Sequence, residues 1–265
     1  MIQNSRDASP RSPRLSIVIP ALDEEAALGP LMASLEAQAA GPPLEVILAD
    51  GGSRDKTIAR FRDLTGGRAG RDSAAQAMGA GSWAARGWEA RLVACPSAGR
   101  ATQMNAGARA ARGEALLFLH ADTRLPPGAT AAIASVLADP RVVGGGFRHR
   151  FSEPGLLLRL ISAYATARSL LRGIHYGDQA IFLRRSVFET LGGFTEVELF
   201  EDLRLSRALR RRGRVVTLPL AAETSARRLR AGGVGRTALK FAWLKIRHAL
   251  GADPARLKTG YPDVR

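Results

Sequence analysis

The first legible pattern is a short run of β-branched and apolar residues, Leu15 to Pro20 (LSIVIP), followed by Asp23-Glu24-Glu25. Apolar residues then recur at Leu28, Leu31, Met32 and Leu35, the spacing of a helix with one buried face. The same unit returns at Leu44 to Ala49 (LEVILA), which predicts a second strand. After the turn Asp50-Gly51-Gly52-Ser53, a helix is expected from Asp55 to Leu64, with Ser53 as its cap. Arg91 to Ala94 predicts a third strand, Arg100 to Ala111 a helix, and Ala115 to Leu119 (ALLFL) a fourth strand. That last run is apolar at every position, as befits a parallel strand covered on both faces. Strands alternating with helices in this way define an α/β class built on a mostly parallel sheet.

Beyond Leu119 the alternation loosens. A helix is expected at Ala129 to Leu137, a strand at Val142 to Phe147 and an arginine-punctuated apolar helix at Leu156 to Leu171. A short strand at Gln179 to Leu183 follows, then helices at Arg185 to Leu191 and Asp202 to Arg211. A strand at Val215 to Leu218 and a basic helix at about Val234 to Leu250 complete the pattern. Gly66 to Gly87, rich in Gly, Ala, Ser and Arg, has too little apolar surface for the sheet and reads as a surface insertion. Its Gly79-Ala80-Gly81 superficially suggests a dinucleotide fingerprint but does not stand between a strand and a helix. Met1 to Arg14 is polar and reads as a disordered lead, not a secretory signal. The expected organisation is therefore a lead over 1–14, one domain over 15–230 and a basic helix with tail over 231–265.

Composition narrows the field without choosing within it. A chain of 265 residues with 46% hydrophobic content can build one large α/β core. Its one cysteine, Cys95, excludes an intramolecular disulfide framework and a cysteine-rich metal site. The formal charge of +15, mostly arginine, attracts nucleotide phosphates, nucleic acid and anionic lipid alike. Every long apolar segment is interrupted by Arg or Lys, so no stretch approaches the roughly 20 residues of a membrane span. A cytoplasmic or peripheral location is expected.

In an open parallel sheet, ligands gather at the carboxyl ends of the strands. Three of these ends carry acids: Asp23 and Glu24 after the first, Asp50 after the second, Asp122 after the fourth. Such oxygen acceptors suit ribose, base edges, sugar hydroxyls and a divalent cation. The first turn, Pro20-Ala21-Leu22-Asp23-Glu24, lacks the glycines a dinucleotide pyrophosphate requires, which disfavours a nicotinamide-dependent enzyme. Phosphates bound here need another counter-charge; Asp122 holding Mg²⁺ or Mn²⁺ would supply it, with Arg100 assisting.

The order IVIPALDEE, ADGGSRDKT, GRATQMNAGARAARGEALLFLHAD, GDQAIF and FEDLRLSRALRRRG resembles family 2 glycosyltransferases of the GT-A fold, from residue 15 to about 220. The wording is closest to a bacterial subgroup named for its association with radical-SAM and selenium-related domains, some members of which are assigned to arsenosugar biosynthesis. The resemblance implies a Rossmann-like, mostly parallel sheet flanked by helices in one domain, and a nucleotide-diphosphate sugar donor. It places Pro20, Leu22 and Glu24 along the nucleoside pocket, Asp50 on the base, and Gly51, Gly52 and Ser53 where backbone approaches it. Arg100 and Asn105 match the donor-contacting segment, Asn105 with a structural alternative. Asp122 matches the last acid of the metal-binding DxD motif, preceded by Ala121, with His120 in place of the first acid, as a metal ligand, a ribose contact or a supporting, structural residue.

Glu201-Asp202 matches the family's catalytic acid pair, Asp202 as general base in an inverting transfer. Gly177-Asp178-Gln179 resembles an acceptor-side loop, Asp178 as a substrate contact or a turn residue, with His175 and Tyr176 adjacent; Arg227 and Arg228 are candidates for the diphosphate or solvated surface. The acceptor, a small molecule or a lipid-linked group, is left open, and the two basic helices at 156–171 and 234–250 either pack on the sheet or touch a membrane surface. Three other readings stay in play: a nucleotidyltransferase, for which the activating lysine and glycine-rich signature are missing; a non-catalytic relative, suggested by His120; and a nucleic-acid binder. The last lacks a reading helix or aromatic platform, so no nucleic-acid partner is expected.

Overall fold

A computed structural model describes residues 15–38, 41–66, 86–197, 199–253 and 257. The lead over 1–14 and all but the margins of the 66–87 insertion lie outside the described residues. An eight-stranded sheet runs in the order β3-β2-β1-β4-β7-β6-β8-β5. Its first half holds β1 (Leu15–Ala21), β2 (Leu44–Asp50), β3 (Glu89–Ala94) and β4 (Ala115–Phe118), all parallel. The second half holds β5 (Thr123–Arg124), β6 (Val142–Phe151), β7 (Ile181–Arg184) and β8 (Arg214–Thr224), with β7 antiparallel to both β4 and β6.

The two faces of the sheet explain why β1, β2 and β4 are largely apolar. Leu15, Ile17 and Ile19 of β1 point into a core closed by α1 (Glu25–Glu36) and α4 (Ala129–Leu137), through Leu28, Leu31 and Ile133. Val18 and Ile47 point the other way, onto Ala101 and Met104 of α3 (Arg100–Ala110), in a cluster shared with Phe188 of α6 (Arg185–Thr190). The one polar residue inside β1, Ser16, is satisfied: its hydroxyl donates to Glu45 at 2.6 Å and accepts the Gly113 N–H at 2.8 Å. Helix α2 (Thr57–Thr65) packs against α1.

Several expectations need correcting. Ser53 is not the cap of α2; its hydroxyl donates to Asp50 at 2.5 Å and accepts the Asp23 N–H at 3.0 Å, while the Asp55 carboxylate takes the Thr57 N–H at 2.8 Å. The strands expected at Val142–Phe147 and Val215–Leu218 run on to Phe151 and Thr224. Past Phe147 and Leu218 the register slips, leaving Pro219 and Leu220 opposite no partner. A proline at such a bulge costs the ladder no hydrogen bond. The strand expected from Gln179 begins at Ile181 instead, because Gly177–Gln179 forms a 3₁₀ turn. The remaining helices are α5 (Leu156–Arg172), α7 (Glu201–Arg210), the unforeseen α8 (Arg227–Ala231) and α9 (Val234–Ala249). Among the described residues, no helix is long and apolar enough to cross a membrane.

Candidate active site

The loops after β1 and β2 are laced together before any ligand arrives. Asp23 accepts the Arg54 N–H at 2.7 Å, the Glu24 N–H reaches Thr57 Oγ1 at 2.8 Å, and the Glu25 N–H reaches Asp55 at 3.1 Å. Gln103 of α3 pins both strand ends from below, its amide donating to Ala21 O at 2.6 Å and Ala49 O at 2.9 Å. Asp50 is buried and holds its own turn, accepting the N–H groups of Gly52 (2.9 Å) and Ser53 (3.1 Å) as well as the Ser53 hydroxyl. Gly52, at φ +94°, supplies the left-handed step that lets the turn close. Pro20 is buried within β1, which leaves Leu22 and Glu24 as the partly exposed members of that segment.

At the end of β4, Ala121 and Asp122 line a cavity of about 250 Å³ together with Ala27, Pro30, Ser225 and Arg227. Arg227 enters from α8 and neutralises two carboxylates: one guanidinium nitrogen lies 2.8 and 2.6 Å from the oxygens of Glu24 and 3.9 Å from Asp122. Burial pushes the Glu24 carboxyl upward, against the pull of Arg227. Asp122 Oδ1 meets only the Thr123 hydroxyl at 3.5 Å among the described residues, too long for a strong bond. Beside it, burial and then Arg100 hold the His120 imidazole below its ordinary pKa, so the ring stays neutral and keeps a lone pair.

His120 joins this half to the other. Its ring is pressed against Gly177, where an added Cβ would lie 2.3 Å from Cε1 and Nε2. The Gly177 N–H in turn donates to Asp202 Oδ2 at 2.9 Å, and Asp202 Oδ1 accepts the Leu203 N–H at 2.7 Å in the first turn of α7. Three motifs separated by many residues thus meet through one van der Waals contact and one hydrogen bond. Glu201 faces inward instead: it is buried, 3.1 Å from Arg100 Nε, and burial pushes its carboxyl up to about 7. It holds Arg100 in place.

Two expectations need correcting, for Gln179 and His175, and Asn105 takes partners inside the fold. Gln179 is fully buried and uses its whole amide internally, donating to Phe147 O (3.0 Å) and Ser169 Oγ (3.1 Å) and accepting from Arg168 (2.5 Å). No capacity is left for substrate. His175 is a core histidine, its Nε2 2.9 Å from Thr217 Oγ1 and its pKa dropped to about 4 by burial. Asn105 clamps Phe194, accepting its N–H at 2.8 Å and donating to its carbonyl at 2.9 Å, the structural alternative. Asp178, half-buried, has His149 Nε2 3.5 Å from its carboxylate.

Reading the sequence missed Arg168, Lys245 and His149. Arg168 of α5 and Lys245 of α9 sit at 3.6 and 4.6 Å over the Tyr176 ring, and burial holds the Lys245 ammonium below its ordinary pKa, beside Asp178 and Asp202. One signal for the joints was invisible in the residue types. All non-glycine residues with positive φ among those described, Asp23, Ala180 and Phe200, directly flank Glu24, Gln179 and Glu201. Backbone held in sparsely populated conformations in this way clusters at functional sites.

A twisted, mostly parallel sheet, with acids at its strand ends and a second mixed half behind β4, is the architecture of a GT-A glycosyltransferase fold. The sequence profile of glycosyl transferase family 2 matches residues 16–192, and the chain belongs to that family. No curated protein sequence matches the chain. Among solved structures, the mannosyltransferase PcManGT from Pyrobaculum calidifontis, in complex with GDP-Man and Mn²⁺, aligns over 94% of this chain and 68% of its own, with TM-score 0.64 and 21% identity. Residues 1–349 of S. aureus TarS align over 80% of this chain with TM-score 0.60 and 15% identity. The same TarS segment in complex with UDP-GlcNAc gives TM-score 0.59 and 14% identity over 80% of this chain. The matched region spans only about 60% of the TarS segment's length. These likenesses establish the fold.

Proposed function

We propose that the protein transfers a glycosyl unit from a nucleoside-diphosphate sugar to an acceptor hydroxyl, with inversion at the anomeric carbon. The observation that carries this reading is the junction at Gly177, where the end of β4 touches the loop that orients Asp202. A group held at Asp122 and a group facing Asp202 would share one cleft. Family membership and the nucleotide sugars bound by PcManGT and TarS support the donor class.

In the proposed reaction the acceptor oxygen attacks the anomeric carbon and the bond to the donor's phosphate oxygen breaks, its electron pair leaving on the nucleoside diphosphate. The hydroxyl proton passes to the Asp202 carboxylate, whose rotamer the Gly177 N–H fixes. Arg100, braced by Glu201, supplies positive charge to the leaving diphosphate. Among the described residues, no three His, Cys, Asp or Glu side chains form a complete protein cage for a metal. Asp122 and neutral His120 nevertheless fit a cation that takes its other ligands from phosphate and water, and Mn²⁺ or Mg²⁺ bound there would offset charge on the diphosphate. The narrower kinship, with the radical-SAM and selenodomain-associated subgroup, rests on the wording of the five sequence motifs.

The test is a thermal-shift screen of UDP-, GDP- and dTDP-sugars with and without Mn²⁺, followed by donor turnover. One donor is expected to stabilise the protein in a metal-dependent manner. Asp202→Asn should retain that shift while turnover falls by about 10²- to 10⁴-fold. Full turnover in Asp202→Asn would remove the assigned base, and stabilisation by none of the donors would remove the class.

A further inference from the structure

Every exposed large hydrophobic side chain among the described residues belongs to α5, to α9 or to the residue that closes α9, with exposures from 43 to 84%. They form stripes. On α9, Leu239, Trp243, Ile246 and Leu250 recur at i, i+4, i+7 and i+11, which places all four within one narrow face. On α5, Leu157, Leu160, Tyr164 and Leu171, at i, i+3, i+7 and i+14, also share one face. The opposite sides of these helices are already occupied: Leu158 and Ile161 of α5 pack with Val234, Ala238 and Phe241 of α9. The stripes are therefore not inward faces waiting for the sheet.

Charge separates the possible partners. Neither helix contains an acidic residue. Arg159 and Arg172 on α5, with Arg236, Lys240 and Arg247 on α9, are exposed around the apolar side chains. A second copy of this face would set these cations against their own kind. Zwitterionic or anionic headgroups above acyl chains would meet both parts, the apolar stripes entering the boundary and the cations meeting phosphate. Between Pro154, Leu157, Arg230 and Val234 a cleft of about 250 Å³ opens on the same side, apolar but for one guanidinium.

We infer that the α5–α9 face docks the protein on an anionic lipid bilayer, as a peripheral contact with no spanning segment. The inference goes beyond the transferase reading and does not rest on it. The same two helices that would meet lipid carry Arg168 and Lys245 to Tyr176 on their inner side, so the contact lies behind the Asp178–Asp202 wall of the cleft.

The experiment is sedimentation of the full chain with vesicles of phosphatidylcholine alone and of phosphatidylcholine with phosphatidylglycerol, without donor or acceptor. Binding is expected to the anionic vesicles, weakened by salt. Lys240→Gln and Arg236→Gln should each reduce it roughly fivefold, and Leu239→Ser with Trp243→Ser by at least roughly tenfold, with the thermal midpoint unchanged. Sedimentation with neither vesicle, or equally with both and independently of salt, would overturn the inference. So would a dimer, seen by light scattering, that Trp243→Ser dissociates while the vesicles remain unbound. Because no turnover is read, failure here leaves the transferase proposal standing, and a failed donor screen leaves this one standing.

Discussion

A methyl group added at Gly177 would lie 2.3 Å from both Cε1 and Nε2 of His120. Carbon contacts settle at about 3.5–4.0 Å, so Gly177→Ala must drive the imidazole back by roughly 1.2 Å or shift the loop by a similar amount. The ring has little room to retreat, since it is held between the loop and the buried end of β4. Overpacking of this kind costs about 1–3 kcal/mol, and in a domain of this size each kcal/mol lowers Tm by roughly 2–4 °C. The functional cost is steeper, because the Gly177 N–H also orients Asp202 and a displacement near 1 Å of reacting groups lowers kcat/KM by about 100-fold.

Differential scanning fluorimetry on Gly177→Ala, His120→Ala and the double variant reads the stability half directly, and donor turnover reads the other. With the imidazole removed, the alanine methyl has space, so the Gly177→Ala penalty should largely vanish in the His120→Ala background. Equal penalties in both backgrounds, or a Gly177→Ala protein as stable and active as the parent, would refute the close approach on which the joined cleft depends.

Two further outcomes are expected. Arg227→Met leaves Glu24 and Asp122 side by side without their shared cation, and should cost about 1–3 kcal/mol, much of it recovered in Glu24→Gln/Arg227→Met; denaturant titration of Arg227→Met, Glu24→Gln and the double variant measures the coupling. Glu201, pushed up to about 7 by burial, is protonated more readily folded than unfolded, so its stabilising contribution is complete below the ordinary carboxylate range near 4.5 and is lost as pH rises towards 7. Glu201→Gln should therefore flatten Tm between pH 5 and 8, with the difference from the parent greatest at the alkaline end; parallel profiles would show that the carboxyl is not so perturbed.

The parallel half of the fold could be read from the sequence because its strands are buried on both sides: LSIVIP, LEVILA and ALLFL need no tertiary information to stand out. The mixed half could not. Residues 148–151 and 219–224 extend β6 and β8 around a bulge through runs of mixed polarity and exposure, RHRF and PLAAET, where neither period nor propensity marks a strand. The two-residue β5 and five-residue α8 fall below the length at which a pattern exists. In the candidate site, Asp122, Asp202 and Arg227 were singled out by their motifs, and the structure sets Arg227 beside Asp122 and the Gly177 loop against Asp202. Lys245 and Arg168 were not: each looks like one more cation on a basic amphipathic helix until α5 and α9 fold back and turn these two inward onto Tyr176. Gln179 and His175 erred the other way, since a polar residue in a motif loop reads the same whether it serves ligand or core.

The position of β4 carries an evolutionary corollary. It is the seam of the sheet, hydrogen-bonded to parallel β1 on one edge and antiparallel β7 on the other. The strands on the β1 side are braced loop to loop by Gln103, Asp23 and Asp55, whereas β6 and β8 are joined to the seam, within the sheet, by way of β7. Substitutions among β6, β8, α5 and α9 can therefore accumulate and reshape one wall while the bracing of the loops after β1 and β2 stays unaltered, so that, in the proposed transferase, diversification on the acceptor side need not put donor recognition at risk.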